Sequence, residues 1–415
     1  MNETHFELPF FTNLLILLVA ARIFGEVFER FKQPAMIGEI IAGIILGPSL
    51  FGLIHRTEDI KVISELGIFL LVIMAGLEIN IDDVLKSLKG KNITISLLAF
   101  FVPIFAGVAV GYVFDQDVMT TVFIGLCVAI TALPVSIRIL MDLGKINSEV
   151  GQKIISIAIF DDVLALSILG VLLNLKGTDL SLVTIFRAGS WSLLKLLIFI
   201  ALLSAAYVLS RYFLRKGNYI QESLDRLVSL SKGKESLFAV FFVFVLLFAT
   251  VTENLGLHFI VGAFFAAMLI SNSLIGTENV KAIEKSTSNI SMGFLAPIFF
   301  ASIGLEFNVS SIANLGLLAA VLVVSYASKI FGGFLGSRIA GYSSRFSLTL
   351  GIGLNARGIM ELVIANIAYR NELISTEVFS ILVIMGIVTT LTTPVLLKRA
   401  FSRLDRVAPA PVGAN

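Results

Sequence analysis

Residues 157–169 read IAIFDDVLALSIL, two adjacent carboxylates (Asp161 and Asp162) inside an apolar run. The run extends over 151–175, enough for the about 20 helical residues that cross a hydrocarbon core about 30 Å thick. An ionised side chain at the centre of such a helix costs about 2.5–3.5 kcal/mol on insertion scales. Two in succession therefore belong to a bundle interior or a water-filled cavity, with a use for the charge. Neighbouring helix positions point about 100° apart, so the two carboxylates cannot face one partner. One can meet a basic residue while the other faces a cavity.

The rest of the chain has the same solvent. Of 415 residues, 57% are apolar and 14% charged, against about 45–50% and about 25% in soluble domains. The mean hydropathy is +0.96. A soluble core could not hide that much apolar surface. The glycines and prolines lie inside apolar runs, where membrane helices accept them. The single cysteine, Cys127, excludes an intramolecular disulfide and a cysteine-built metal site. His5, His55 and His258 are too scattered for a histidine metal centre, and a net charge of +2 is too small and dispersed for a nucleic-acid binder. Met1–Pro9 has no basic n-region, so the first apolar stretch reads as a membrane span rather than a cleavable signal.

Thirteen spans are expected, at roughly 8–29, 35–54, 60–79, 92–114, 117–140, 151–175, 189–213, 236–253, 256–275, 290–308, 313–337, 345–369 and 374–398. The longest loop, 214–235, reads as a short amphipathic surface helix, and the tail 402–415 as disordered. With the N-terminus outside, only Arg56, Lys61, Lys176, Arg187 and Arg370 fall in outer loops, and twenty-one Lys and Arg fall on the inner side. The positive-inside rule thus places the C-terminus in the cytoplasm.

An internal repeat accompanies this count. Residues 67–80 read GIFLLVIMAGLEIN and residues 296–308 read APIFFASIGLEFN. These spans are seven apart, so they run in opposite directions. The second and ninth spans (IGEIIAGIILGPS and IVGAFFAAMLISNS) are weakly alike. Pairing spans 1–6 with 8–13 leaves span 7 as a linker, the inverted-repeat plan of secondary transporters. Under that pairing span 5, with ITALPV at 130–135, matches span 12, with GLNARG at 353–358. Pro134 in one and Gly351, Gly353 and Gly358 in the other predict interrupted helices at the bilayer midplane, where half-helix ends face an ion or a charge.

The remaining intramembrane polar residues cluster in spans 5, 6, 11 and 12. Lys329 sits in SYASKIFGG, Thr131 and Asn355 in the interrupted segments, and Arg357 and Glu361 four apart in span 12. The last two read as a structural ion pair on one helix face, bracing the broken helix. Glu78 and Glu306 end their spans and read as headgroup-level or cavity-mouth residues, as does Glu39. Arg22 and Glu26 read as a local pair. A buried carboxylate beside a cation can be poised to exchange a proton for a metal cation.

These residues bring a family into view. The chain resembles the monovalent cation:proton antiporters of the second branch, which contain bacterial sodium/proton antiporters with an Asp-Asp motif and the related Kef-type potassium systems. The resemblance rests on PAMIGEIIAGIILGPS (34–49), GLEIN (76–80), FDD (160–162), PIFFASIGLEFN (297–308), SKIFGG (328–333) and NARGIMELV (355–363). It implies an all-α membrane fold with two crossing interrupted helices. A dimerisation domain would hold 1–80 and 236–308, an ion-binding core 92–175 and 313–398, and 189–213 would link them. By resemblance Asp162 binds the ion, Asp161 pairs with Lys329, and Thr131 lies near the ion. Kef-type proteins carry a glutamine where Asp161 stands, and relatives often have a hydroxyl residue where Ala132 stands.

The expected function is secondary transport, not enzymatic catalysis: sodium exchanged for protons across a bacterial inner membrane, serving pH homeostasis. No cofactor is expected, only transported sodium (or potassium or lithium) and protons. Two carboxylates against one cation predict electrogenic exchange. Potassium/proton antiport in the same family is the alternative, and a sodium-coupled solute symporter the alternative of another class. The expected partners are a second copy, through spans 1 and 8, and the lipid bilayer; no nucleic acid is expected.

Overall fold

The computed structural model describes residues 9–55, 57–79, 90–173, 234–255, 257–270 and 277–405, with isolated positions between 190 and 201. Among them all regular structure is helical. In chain order the helices are α1 (Phe10–Arg30), α2 (Ala35–Leu46), α3 (Glu58–Glu78), α4 (Lys91–Val113), α5 (Val118–Ala129), α6 (Leu133–Asp142) and α7 (Glu149–Leu173). They continue as α8 (Lys234–Asn254), α9 (Phe259–Leu269), α10 (Thr277–Ile290), α11 (Ala296–Glu306), α12 (Leu315–Ile339), α13 (Ser344–Gly353), α14 (Ile359–Arg370) and α15 (Thr376–Asp405).

Nine helical stretches among the described residues are long and apolar enough to cross a membrane. They correspond to nine of the thirteen expected spans. Spans 35–54 and 256–275 are instead represented by helices of 12 and 11 residues. For α2 the cause is local: Gly47 closes the helix and Pro48 has no N–H to continue it. Span 345–369 is split into α13 and α14. Of the linker span 189–213 only isolated positions between 190 and 201 are described, and the surface helix expected at 214–235 lies outside the described residues, apart from the start of α8. The tail expected to be disordered from 402 is helical through Asp405; residues 406–415 lie outside the described residues.

The chain divides into two compact units, one from 1–81 and 166–308, the other from 82–165 and 309–415, the division falling inside α7. In the first unit α2 and α3 both pack against α11, and α3 and α8 against α9. Leu17, Ala21, Leu46, Ile60, Ile298 and Leu305 form one core there, and Leu70, Ile73, Phe241, Val245 and Ala266 form another. The span expected at 290–308 begins earlier than its apolar run. Pro297 clashes with a carbonyl one turn back, and a π turn over Ser291–Leu295 absorbs the mismatch between α10 and α11. Lys281 and Lys285, expected in a loop, therefore lie on α10. Glu78 and Glu306 are the last residues of α3 and α11. Arg22 and Glu26 do not pair: Glu26 bonds Arg30 at 3.3 Å, and Arg22 donates to the Met292 carbonyl at 3.4 Å.

In the second unit α12 packs against α4 and α13, and α15 against α13 and α14. The approach is close because it is made by glycine. A methyl group at Gly332 would fall 2.6 Å from the Leu98 carbonyl oxygen, and one at Gly333 2.9 Å from the Gly351 Cα. Such small-residue contacts let membrane helices approach backbone to backbone. They turn the Ser325–Lys329–Gly336 face of α12 inward.

Candidate ion-binding site

The site is built where two helices stop. α5 ends at Ala129, and Ile130–Ala132 run extended before α6 restarts at Leu133. Pro134 lies in the first turn of α6, where its missing N–H breaks no hydrogen bond. It bars a continuous helix, because its ring would clash with the Ile130 carbonyl four residues back. The second break runs from Leu354 to Gly358, between α13 and α14. The two breaks meet directly. The Ala132 N–H donates to the Ala356 carbonyl at 2.8 Å, and the Thr131 hydroxyl to the Leu354 carbonyl at 2.9 Å.

A helix that ends inside a membrane leaves carbonyls without intrahelical donors. Here two cations take them. Arg357 donates through Nη1 to the Cys127 carbonyl and through Nη2 to the Val128 carbonyl, both at 2.5 Å, and reaches Ser325 O at 3.3 Å. Lys329 donates to the Ala129 carbonyl and, at 3.1 Å, to that of Ala99. Both positive charges thus sit at the negative end of the α5 dipole. The Arg357 carbonyl in turn accepts from Thr390 at 2.8 Å, which ties the second break to α15.

The aspartates come from the middle of α7. Asp161 Oδ2 lies 2.7 Å from Lys329 Nζ, with both side chains fully buried. Asp162 is 1% exposed. Asn355 and Glu361 are also buried, and the Asn355 amide and both Glu361 oxygens have no hydrogen-bond partner among the described residues. The structure therefore brings Thr131, Asp161, Lys329 and Arg357 into one bonded network, with Asn355 inside the break.

One expectation fails. Arg357 and Glu361 are not a helix-face ion pair, because Arg357 precedes α14 and its terminal nitrogens point at carbonyls of α5 and α12. The four-residue spacing has its meaning only in a continuous helix. Glu361 instead stands in the first turn of α14, where a carboxylate complements the helix dipole. Its oxygens lie 3.5 and 3.6 Å from where a Cβ on Gly386 would stand. The groups not foreseen from the sequence are the carbonyls of Ala99, Cys127, Val128 and Ala129, because every residue type carries the same backbone oxygen.

Known proteins resemble the chain in sequence and in fold. Residues 14–401 match the family model described as sodium/hydrogen exchanger, transmembrane. The Na(+)/H(+)-K(+) antiporter GerN of Bacillus cereus is 29% identical over 405 residues, covering 97% of this chain and 99% of that protein. The Na(+)/H(+) antiporter NhaS4 of Synechocystis is 32% identical over 428 residues, covering 95% and 98%. The solved structure of the sodium proton antiporter MjNhaP1 from Methanocaldococcus jannaschii at pH 8 shares the fold, with a TM-score of 0.68 at 17% identity over 95% of this chain and 97% of that one. The chain is a multi-pass membrane protein and belongs to the sodium/hydrogen exchanger family of cation/proton antiporters.

Proposed function

We propose that this protein exchanges sodium for protons across a bacterial inner membrane by alternating access, with unequal charge moved per cycle. Asp162 carries the sodium ion and a proton in turn, with Thr131 beside the ion. Asp161 and Lys329 form a proton-coupled pair, and Asn355, Arg357 and Glu361 hold the crossing in shape. The observation that supports this reading most is the succession of two buried carboxylates on α7, one engaged by Lys329, at the meeting of two helix breaks. Sodium is the cargo, not a resident cofactor.

The first unit serves as a dimerisation domain and the second as the ion-binding core, with the N-terminus outside and the C-terminus cytoplasmic. Potassium is a second reading of the cargo, favoured by the Bacillus cereus relative, whose name carries both cations. The test is transport in proteoliposomes under an imposed proton gradient, with sodium, lithium and potassium supplied separately. Sodium-dependent proton movement supports the assignment. Movement with potassium alone replaces sodium, and no cation-dependent proton movement overturns antiport.

A further inference from the structure

α12 has two faces. One carries Lys329 into the site; the other is open. Leu322, Val323, Tyr326, Ile330, Phe334 and, on α13, Leu348 line an apolar groove of about 720 Å³. From Leu322 to Phe334 the groove runs about 18 Å at 1.5 Å per residue, close to the about 15 Å of one leaflet. Its length fits a single lipid chain rather than a whole span.

The two ends of the groove differ in charge. No charged residue lies between Leu315 and Tyr326 on α12. Arg338 follows Phe334 by one turn on the same face, and Arg345 precedes Leu348 by one turn on α13. Around the Gly341–Tyr342 turn that joins these helices the cations converge. Arg338 donates to the Tyr342 carbonyl at 2.6 Å. Lys153 stands 4.9 Å from the centre of the Tyr342 ring and donates to Asn92 at 2.9 Å. Lys91 Nζ lies 3.5 Å from where a Cβ on Gly341 would stand. Among the described residues none of these four cations is in an ion pair. Arg345 also lines a second cavity with the acids Glu149 and Asp405, and Asp405 is taken by Lys145 at 2.9 Å. Tyr342 stacks on the buried Phe346, ring centres 4.4 Å apart, and tyrosine is enriched at the headgroup level.

We propose that this face binds an anionic phospholipid, its acyl chain along the α12–α13 groove and its phosphate at the end of the groove marked by Arg338 and Arg345. A guanidinium pair suits phosphate by charge-assisted, bidentate hydrogen bonding. The groove supplies the apolar contact that a free anion would not use. The site lies on the reverse side of the helix that carries Lys329, and it does not depend on which cation is transported.

The test uses the full chain in detergent, with the unfolding midpoint measured after adding phosphatidylglycerol, phosphatidylcholine or inorganic phosphate. Phosphatidylglycerol is expected to raise the midpoint more than phosphatidylcholine does, and inorganic phosphate to leave it unchanged. The excess should fall by at least half in the double variant Arg338→Gln/Arg345→Gln. It should fall likewise in Leu348→Trp, which fills the groove without altering charge; either variant alone carries the test. Equal shifts with both lipids, a shift from inorganic phosphate, or variants that keep the full excess would overturn the proposal.

Discussion

Lys329 and Asp161 face each other at 2.7 Å with neither side chain open to solvent, and the same ammonium caps the end of α5. Removing one member of a buried pair strands the other charge, at about 3–5 kcal/mol. Lys329→Met should therefore lower the unfolding midpoint strongly. Adding Asp161→Asn should recover part of the loss, because both charges are then gone. Losses that simply add would show that the two residues are not coupled in the folded protein.

Asp162 differs from its neighbour in having no part in that ion pair. Asp162→Asn is expected to abolish sodium-dependent proton movement in liposomes while the unfolding midpoint stays close to that of the parent. Sodium exchange at the parent rate in this variant would remove Asp162 from the transport role.

Arg357 fills a geometric role that charge alone cannot fill. Its planar fork meets two carbonyls at once, at Cys127 and Val128, and extends to Ser325. Lysine has the charge without the fork. Arg357→Lys should cost about 1–3 kcal/mol for carbonyls left without donors and should slow transport. An unchanged midpoint would mean that water satisfies the α5 end without Arg357.

The dimer proposed through spans 1 and 8 would bury side chains that stand exposed in the single chain. Phe11, Leu15, Val19, Ile23 and Val27 recur every four residues on α1, and Val243 and Leu247 are exposed on α8. Single cysteines at these α1 positions, in a Cys127→Ala background, should cross-link two copies in the membrane. Failure at every one of them would leave this face to lipid.

The site's outline could be read from residue types because intramembrane charge and helix-breaking residues are rare and expensive. Asp161, Asp162 and Lys329 stand out in apolar runs, and ITALPV and GLNARG mark the breaks at 130–132 and 354–358. The partners of Arg357 could not be read this way. Its i,i+4 neighbour Glu361 suggested a local pair, but the break at Gly358 leaves no salt bridge between the two, and the guanidinium turns to backbone oxygens far away in sequence. Helix lengths were misread for a related reason. Hydropathy marks apolar stretches, whereas Gly47 and Pro48 end α2, and Pro297 with its π turn joins an apolar helix to the polar α10.

Charge movement is the last question the pair poses. If sodium arrives at Asp162 and protons leave both Asp162 and the Asp161–Lys329 pair, each cycle moves net charge. Each elementary charge is worth about 2.3 kcal/mol per 100 mV, so a membrane potential alone should drive transport. In proteoliposomes at equal pH on both sides, an inside-negative potassium–valinomycin potential should pull protons in and push sodium out. Reversing the potential should reverse the sodium flux. Flux that ignores the sign of the potential would mean one-for-one exchange. Asp161 and Lys329 would then be a fixed brace for the end of α5, and Asp162 the only carboxylate that gains and loses a proton in the cycle.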